Sequence, residues 1–261
     1  MKNVRSRLLA TVAIVGLAAP AYAADMAVKA PRPMAPVPTV TSWTGFYVGG
    51  QIGVATFDPQ CSQSNNNGAG QFGQIACSSV PVSASTMVGM PRNSNVAGGF
   101  RAGYDWQYNA VVLGVVGDLN WTSLSSSLNP PPLEGPPGSI GTIKLDRLAS
   151  IRGRLGWAFN DLLVYGTGGV AWAHVTYSNG IAGTCCGNWA GSGDSTVPGV
   201  VAGGGFEYRV SQHVSFTGEA LWYGDFATKT LTSAGTFGTT YTTNFQVKDA
   251  LLATLGLNYR F

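Results

Sequence analysis

Charge is scarce in this chain. Only 10% of its residues are Asp, Glu, Lys or Arg, while 45% are apolar. Ordinary soluble domains carry roughly 25% charged residues, so a conventional water-facing surface is not available to it. A basic stripe is missing too. The formal net charge of +3 comes from Lys2, Arg5 and Arg7, and the remainder balances twelve basic against twelve acidic residues. Nucleic acid therefore has no electrostatic footprint to hold. Histidine occurs twice, at His174 and His213, too few and too far apart to suggest a metal centre. Beyond the first two dozen residues no apolar run approaches the ~20 residues that a membrane helix needs. The apolar surface has to be accommodated by something other than a helix.

The chain start explains one apolar stretch. Lys2, Arg5 and Arg7 are followed by an apolar core from Leu8 to Ala19 and by the small-residue site Ala21-Tyr22-Ala23. That order is a secretory leader, with cleavage expected after Ala23. Residues 24–42 contain four prolines between Pro31 and Pro38 and no apolar periodicity, which predicts an extended periplasmic tether. Residues 43–261 are left as one domain, a size ordinary for a single β domain.

Within that domain a strand is repeated. From Leu251 the apolar row Leu251, Ala253, Leu255, Leu257, Tyr259, Phe261 alternates with Leu252, Thr254, Gly256, Asn258, Arg260. Period-two alternation marks a strand with two unlike faces. The row becomes aromatic at its end, as at a membrane–water boundary. Tyr259, Tyr208, Trp157 and Trp106 recur every 51 residues, and Trp121, Trp172 and Trp222 form a second ladder spaced 51 and 50. These residues, with Phe261, predict two aromatic girdles. The expected strands are Trp43 to Thr56, Asn95 to Gln107, Val111 to Ser123, Ile143 to Phe159, Leu162 to Tyr177, Thr196 to Val210, His213 to Ala227 and Phe245 to Phe261. Tight turns such as Asn160-Asp161 alternate with four long Gly/Ser/Pro-rich loops. The fold class is therefore all-β: an eight-stranded up-and-down antiparallel transmembrane β-barrel with short periplasmic turns and four longer extracellular loops.

Strict parity puts Phe100, Tyr104, Leu113, Val115, Ile151, Leu155, Val200 and Phe206 on the lipid face. It collects Arg101, Arg152, Arg154, Arg209, Lys248 and Arg260 with Asp105, Asp118, Asp146, Glu207 and Glu219 on the other. Arg147 and Asp249 fall on the lipid row near the loop-side rim, where their cost is small. An eight-stranded barrel is just wide enough for side chains to fill. Opposed charges in so narrow a bore are expected to pair and plug it. Neutralising Arg152 and Arg154 is then expected to raise conductance and lower thermal stability.

Candidate chemistry is thin. Four cysteines in an exported chain suggest disulfides with three full pairings open. Cys61–Cys77 would close a loop worth about 3 kcal/mol in the chain-entropy model, and Cys185–Cys186 would be a strained vicinal bridge. Gly166-Thr167-Gly168-Gly169-Val170-Ala171 fits a dinucleotide pattern formally, but a strand rather than a helix follows it. His174 is the only base at the height of a lipid-acting site, without a defined nucleophile beside it. No enzyme, cofactor or metal is expected.

The motifs WTGFYVGGQIG, GFRAGYDWQYNAVVLGVVGDLNW, RLASIRGRLGWAFNDLLVYGTGGVAWA, GGGFEYRVSQHVSFTGEALWY and LGLNYRF together resemble the small outer-membrane immunogenic (porin-like) proteins of alphaproteobacteria. The resemblance covers residues 43–261, with the long loops as the divergent parts. It implies a major surface protein of a Gram-negative outer membrane whose aromatic C-terminal strand is read by the barrel-assembly machinery. The expected partners are outer-membrane lipid and lipopolysaccharide. The expected role is structural and surface contact; the alternatives are a small low-conductance porin and a loop receptor for a ligand such as haem. Trp189 could stack on such a ligand, but the loops offer no axial histidine. Cys61, Cys77, Cys185 and Cys186 look like departures from the family's usual loops.

Overall fold

The computed structural model describes residues 42–65, 87–128, 139–181, 189–234 and 240–261. Their strands are β1 (Gly45–Asn65), β2 (Val88–Gly89), β3 (Asn93–Tyr108), β4 (Val111–Leu128), β5 (Ser139–Phe159), β6 (Leu162–Ile181), β7 (Trp189–Arg209), β8 (Val214–Gly224), β9 (Lys229–Ala234) and β10 (Thr240–Arg260). The antiparallel order β1-β3-β4-β5-β6-β7-β8-β10 closes on itself through β1–β10 pairing. That ring is the eight-stranded barrel. β2 and β9 continue its wall on the loop side, beside β1 and β10.

Two of the tight turns place an asparagine where positive φ is required. Asn109 and Asn160 both sit at φ 54°, a conformation their short polar side chains tolerate better than most. The ring is sealed beside the last strand, where the Phe261 amide donates to the Phe46 carbonyl at 3.0 Å and the two rings lie 5.7 Å apart.

Six of the strands reach about 18 to 21 residues, longer at their loop ends than the alternation alone suggested. The reason lies in their faces. Between the aromatic belts the outward row is apolar: Ile52, Phe100, Leu113, Ile151, Leu155, Val170, Leu251 and Leu255 are all exposed. Past Trp121, Trp172 and Trp222 the outward row becomes Ser123, Ser125, Thr176, Ser178, Ser192 and Thr196. The inward row there becomes Leu124, Ile143, Leu145, Val175, Tyr177, Val197, Phe245 and Val247, packed as one apolar cluster. Polar outward residues read as loop in the sequence, although the inward partners are those of a folded core. The chain is inside-out between the belts and conventional above them.

Bulges mark the change. In β5 the register shifts between Leu145 and Arg147, and in β10 it skips Lys248 opposite Asp58 and Pro59. Each extra residue reverses the strand's faces. Leu145, Ile143, Val247 and Phe245 thereby turn inward. Asp146 and Lys248, expected in the lumen, are corrected by the same device. Lys248 is exposed, and Asp146 meets Arg147 at the rim, 3.8 Å away, with both side chains about half exposed.

Above the bulges the wall divides into two sheets. The β3–β4 ladder stops at Ala97 opposite Thr122, and the β7–β8 ladder stops at Val200 opposite Gly224. Above those two stops, among the described residues, the ladders run β4-β5-β6-β7 on one side and β9-β10-β1-β2 on the other, two flaps of what is below them a single continuous sheet. Side chains bridge one seam: Asn93 and Asn95 donate to the Ser125 and Ser123 carbonyls at 2.5 and 2.9 Å. Between the sheets Tyr177 stacks on Phe245 at 5.4 Å. Asn179 of β6 donates to Thr243 of β10 at 2.6 Å and accepts from Ser233 of β9 at 3.1 Å. The loop-side end is a small β-sandwich, with its core between two facing sheets, standing on a barrel stem.

Candidate functional site: the closed lumen

The stem is filled by charge in two tiers. Three neighbouring strands and one across the bore deliver the first tier: Arg101 of β3 lies in register with Asp118 of β4, Arg152 comes from β5, and Glu219 faces them from β8. The Arg152 guanidinium donates to Asp118 at 2.7 Å and to Glu219 at 2.9 Å, and Arg101 donates to Glu219 at 2.9 Å. Ser150 adds a 2.6 Å hydrogen bond to Asp118. Gln51 accepts from Arg101 and donates to Asn120 at 2.5 Å.

The second tier lies nearer the short turns. Arg154 donates to Glu207 at 2.5 Å and to Asp105 at 3.3 Å, and Arg260 donates to Asp105 at 2.8 Å. Ser215 and Asn258 complete the Glu207 carboxylate at 2.5 and 3.2 Å. Tyr165 links the tiers: its hydroxyl donates to Glu219 at 3.2 Å while the Arg154 guanidinium lies 3.8 Å over its ring. Tyr47 lies beneath, with its hydroxyl accepting from Arg154 at 3.2 Å. Four arginines thus meet four carboxylates, each of these residues less than a tenth exposed. Neutral pairing through charge-assisted hydrogen bonds offsets much of the desolvation, although Asp105 Oδ1 and Arg154 Nε are buried without a hydrogen-bond partner.

Close approach in this bore requires missing side chains. A Cβ on Gly103 would stand 2.5 Å from the Tyr47 hydroxyl, and one on Gly114 would strike the Asp105 carboxylate. Glycine at those two places makes room for the tiers.

Trp43 closes the turn end. It lies just before β1, is fully buried, and packs with Val112, Leu163 and Tyr165. Its indole NH donates to the Asn160 carbonyl at 3.2 Å, its amide donates to Gln107 at 2.6 Å, and its carbonyl accepts from Arg260. Arg209, expected among the ion pairs, instead sits at this rim. Its guanidinium lies 4.5 Å over the Trp43 ring and donates to the Ser42 carbonyl at 2.7 Å. At the opposite end the apolar sandwich core begins directly above the upper tier.

Alternation in the sequence puts Arg101, Asp105, Asp118, Arg152, Arg154, Glu207, Glu219 and Arg260 on one face, and the structure brings these eight together. It does not bring Asp146, Lys248 or Arg209 to them. Trp43, Tyr47, Tyr165 and Gln51 also line the lumen, uncharged members of the inward rows that charge alone does not mark, and Asn258 joins them from the row of Arg260. Trp106, Trp157, Tyr208, Tyr259 and Phe261 are exposed on the outer face toward the turns, and Trp121, Trp172 and Trp222 toward the loops. Gly166 to Ala171 lies within β6. Cys61 is buried and disulfide-bonded, while Cys77, Cys185 and Cys186, like residues 1–41, lie outside the described residues.

Comparison with known proteins agrees with this architecture. The chain is 30% identical to the 31 kDa outer-membrane immunogenic protein of Brucella melitensis biotype 1 over 268 residues, covering 98% of this chain and 100% of that protein. It is 29% identical over 147 residues to a 22 kDa outer membrane protein of Rhizobium leguminosarum bv. viciae, covering 56% of this chain and 51% of that one. The solved structure of the outer membrane protein OprG from Pseudomonas aeruginosa shares the fold at a TM-score of 0.50 and 11% identity, across 84% of this chain and 96% of that one. The family model for the outer membrane protein beta-barrel domain matches residues 9–261, and the chain belongs to that family, as a β-barrel of the Gram-negative outer membrane.

Proposed function

We propose that this barrel is a closed, non-enzymatic element of the outer membrane, serving envelope integrity and surface contact through its loop-side end. The observation that carries the reading is the threefold closure of the bore: a tryptophan stopper, two neutral tiers of ion pairs, and an apolar sandwich core. Each closure blocks hydrated ions for a different reason. Water-borne ions would have to displace a packed indole, break charge-assisted bonds worth several kcal/mol, and then cross a mostly apolar core whose few polar groups, such as Asn179 and Thr243, already bond one another. On this reading the leader ends at Ala23, residues 24–42 form a periplasmic segment, and Tyr259-Arg260-Phe261 close the strand that the barrel-assembly machinery engages.

Planar-bilayer recording of the mature, refolded chain tests it. The expected result is a silent bilayer with barrel verified by its heat-dependent gel mobility. Steady unitary openings from the wild-type chain would replace this reading with that of a small porin.

A further inference from the structure

Ten Lys and Arg residues lie among the described residues. Four are consumed in the lumen and Arg209 caps the turn end. The remaining five, Arg92, Lys144, Arg147, Lys229 and Lys248, all lie on the loop side at or above the upper tryptophan belt. Arg92 is spoken for by Asp58 at 3.1 Å. Two of the others share a wall. The β5 bulge turns Lys144 and Arg147 onto the same outward face, although three residues apart they would point oppositely in a regular strand.

Arg147 stands in register with the belt residue Trp121 on β4 and with His174 on β6. Lys144 stands one step higher, in register with Ser125 and Thr176. The His174 Nδ1 lies 3.3 Å from the Thr196 hydroxyl of β7, so the imidazole borders the cations by its register on β6 while its ring leans to the far side. The nearest carboxylates are weakly engaged. Asp146 is 3.8 Å from Arg147, beyond hydrogen-bond reach. Asp194 pairs with Thr176, two strands and about 10 Å from Lys144, roughly one Debye length at physiological salt.

We infer that Lys144 and Arg147, flanked by His174 and by the Ser125 and Thr176 hydroxyls, bind the phosphoryl headgroup of an outer-leaflet glycolipid. Height is the argument for a lipid. Tryptophan belts mark the hydrocarbon boundary, and the first charged layer beyond it in a lipid is its headgroup. Trp121 beside Arg147 and the exposed Leu119, Ile151 and Trp172 below it offer apolar wall to the acyl chains of the same molecule. This site concerns the outside of the barrel and stands whether or not the bore conducts.

Binding of bisphosphorylated lipid A to the refolded barrel in phosphatidylcholine nanodiscs tests it, read as the dissociation constant. Lys144→Ser/Arg147→Ser should bind roughly thirtyfold more weakly, at about fivefold per cation, with unchanged heat-dependent gel mobility. Lys248→Ser, on the opposite wall, should change binding less than about twofold. Lipid A stripped of its phosphates should bind the wild-type barrel as weakly as the intact lipid binds the double variant. Three results would each overturn the inference: undiminished binding by the double variant, an equal loss with Lys248→Ser, or undiminished binding of the dephosphorylated lipid. Displacement by millimolar inorganic phosphate would also overturn it, since the site would then read free phosphate and not a lipid.

Discussion

Removing one guanidinium from the upper tier isolates what the lumen pairs contribute. Arg152 is the best choice, because its side chain is fully buried and it bridges Asp118 and Glu219 at 2.7 and 2.9 Å. In Arg152→Ala, Glu219 keeps Arg101, but Asp118 is left with only Ser150 and Asn120. Stranding one member of a buried pair costs about 3–5 kcal/mol. For a domain of this size each kcal/mol moves the melting midpoint by about 2–4 °C, so the shift should be roughly 6–20 °C. The heat-dependent gel mobility of the purified barrel, scored against temperature, measures it. A second variant separates charge from packing. Arg152→Met/Glu219→Gln removes one charge of each sign and leaves Arg101 facing Asp118 across adjacent strands. It should recover at least half of the loss. Arg152→Ala melting within about 2 °C of wild type, less than a single kcal/mol on this scale, would refute the claim that the tiers are energetically coupled.

Three further outcomes follow from the same geometry. Gly103→Ala and Gly114→Ala should each destabilise by about 1–3 kcal/mol through overpacking, whereas Gly50→Ala, with no atom within 4 Å of its Cβ position, should stay within about 0.5 kcal/mol; urea unfolding in detergent compares them. A double-mutant cycle between Tyr177→Leu and Phe245→Leu should return about 0.5–1.5 kcal/mol of coupling for the stacked pair, and zero coupling would remove the contact between the two sheets. Neutralising Arg152 and Arg154 together should lower the melting midpoint without producing conductance in a planar bilayer, because Trp43 and the sandwich core still close both ends. The sequence alone had suggested that current would appear.

The stem was legible because its two physical constraints repeat with a fixed period. A lipid-facing row must be apolar and an enclosed row must pair its charges, so alternation along β4, β5, β7 and β10 reveals both at once. The aromatic spacing then measures the span. Leu162 to Trp172 and Val111 to Trp121 each run eleven residues, at the upper end of the ~9–11 that cross a membrane. The sandwich end was not legible for a related reason. Its outward row of Ser, Thr and Asn has the composition of a loop, and the bulges at Asp146 and Lys248 break the parity by which the inward row would be found. Nothing local to those two residues announces a bulge. The hint lay in their neighbours: Arg147 and Asp249 on an otherwise apolar row, and Leu145 and Val247 on an otherwise charged one. Four misfits, paired at the same height on strands opposite one another in the ring, are more economically explained by two reversals of face than by four tolerated errors.

That reversal also explains why a bore already filled by ion pairs carries an apolar core above them. Side chains in the stem cannot draw stability from the hydrophobic effect by facing lipid, since hydrocarbon is as apolar outside as any core would be within. Strand segments that rise beyond the belts re-enter water, and there apolar burial again contributes about 25 cal/mol per Å². Once Phe57, Tyr177, Tyr223, Phe226 and Phe245 are gathered between two sheets, the long strands hold their register above the membrane without needing the bilayer.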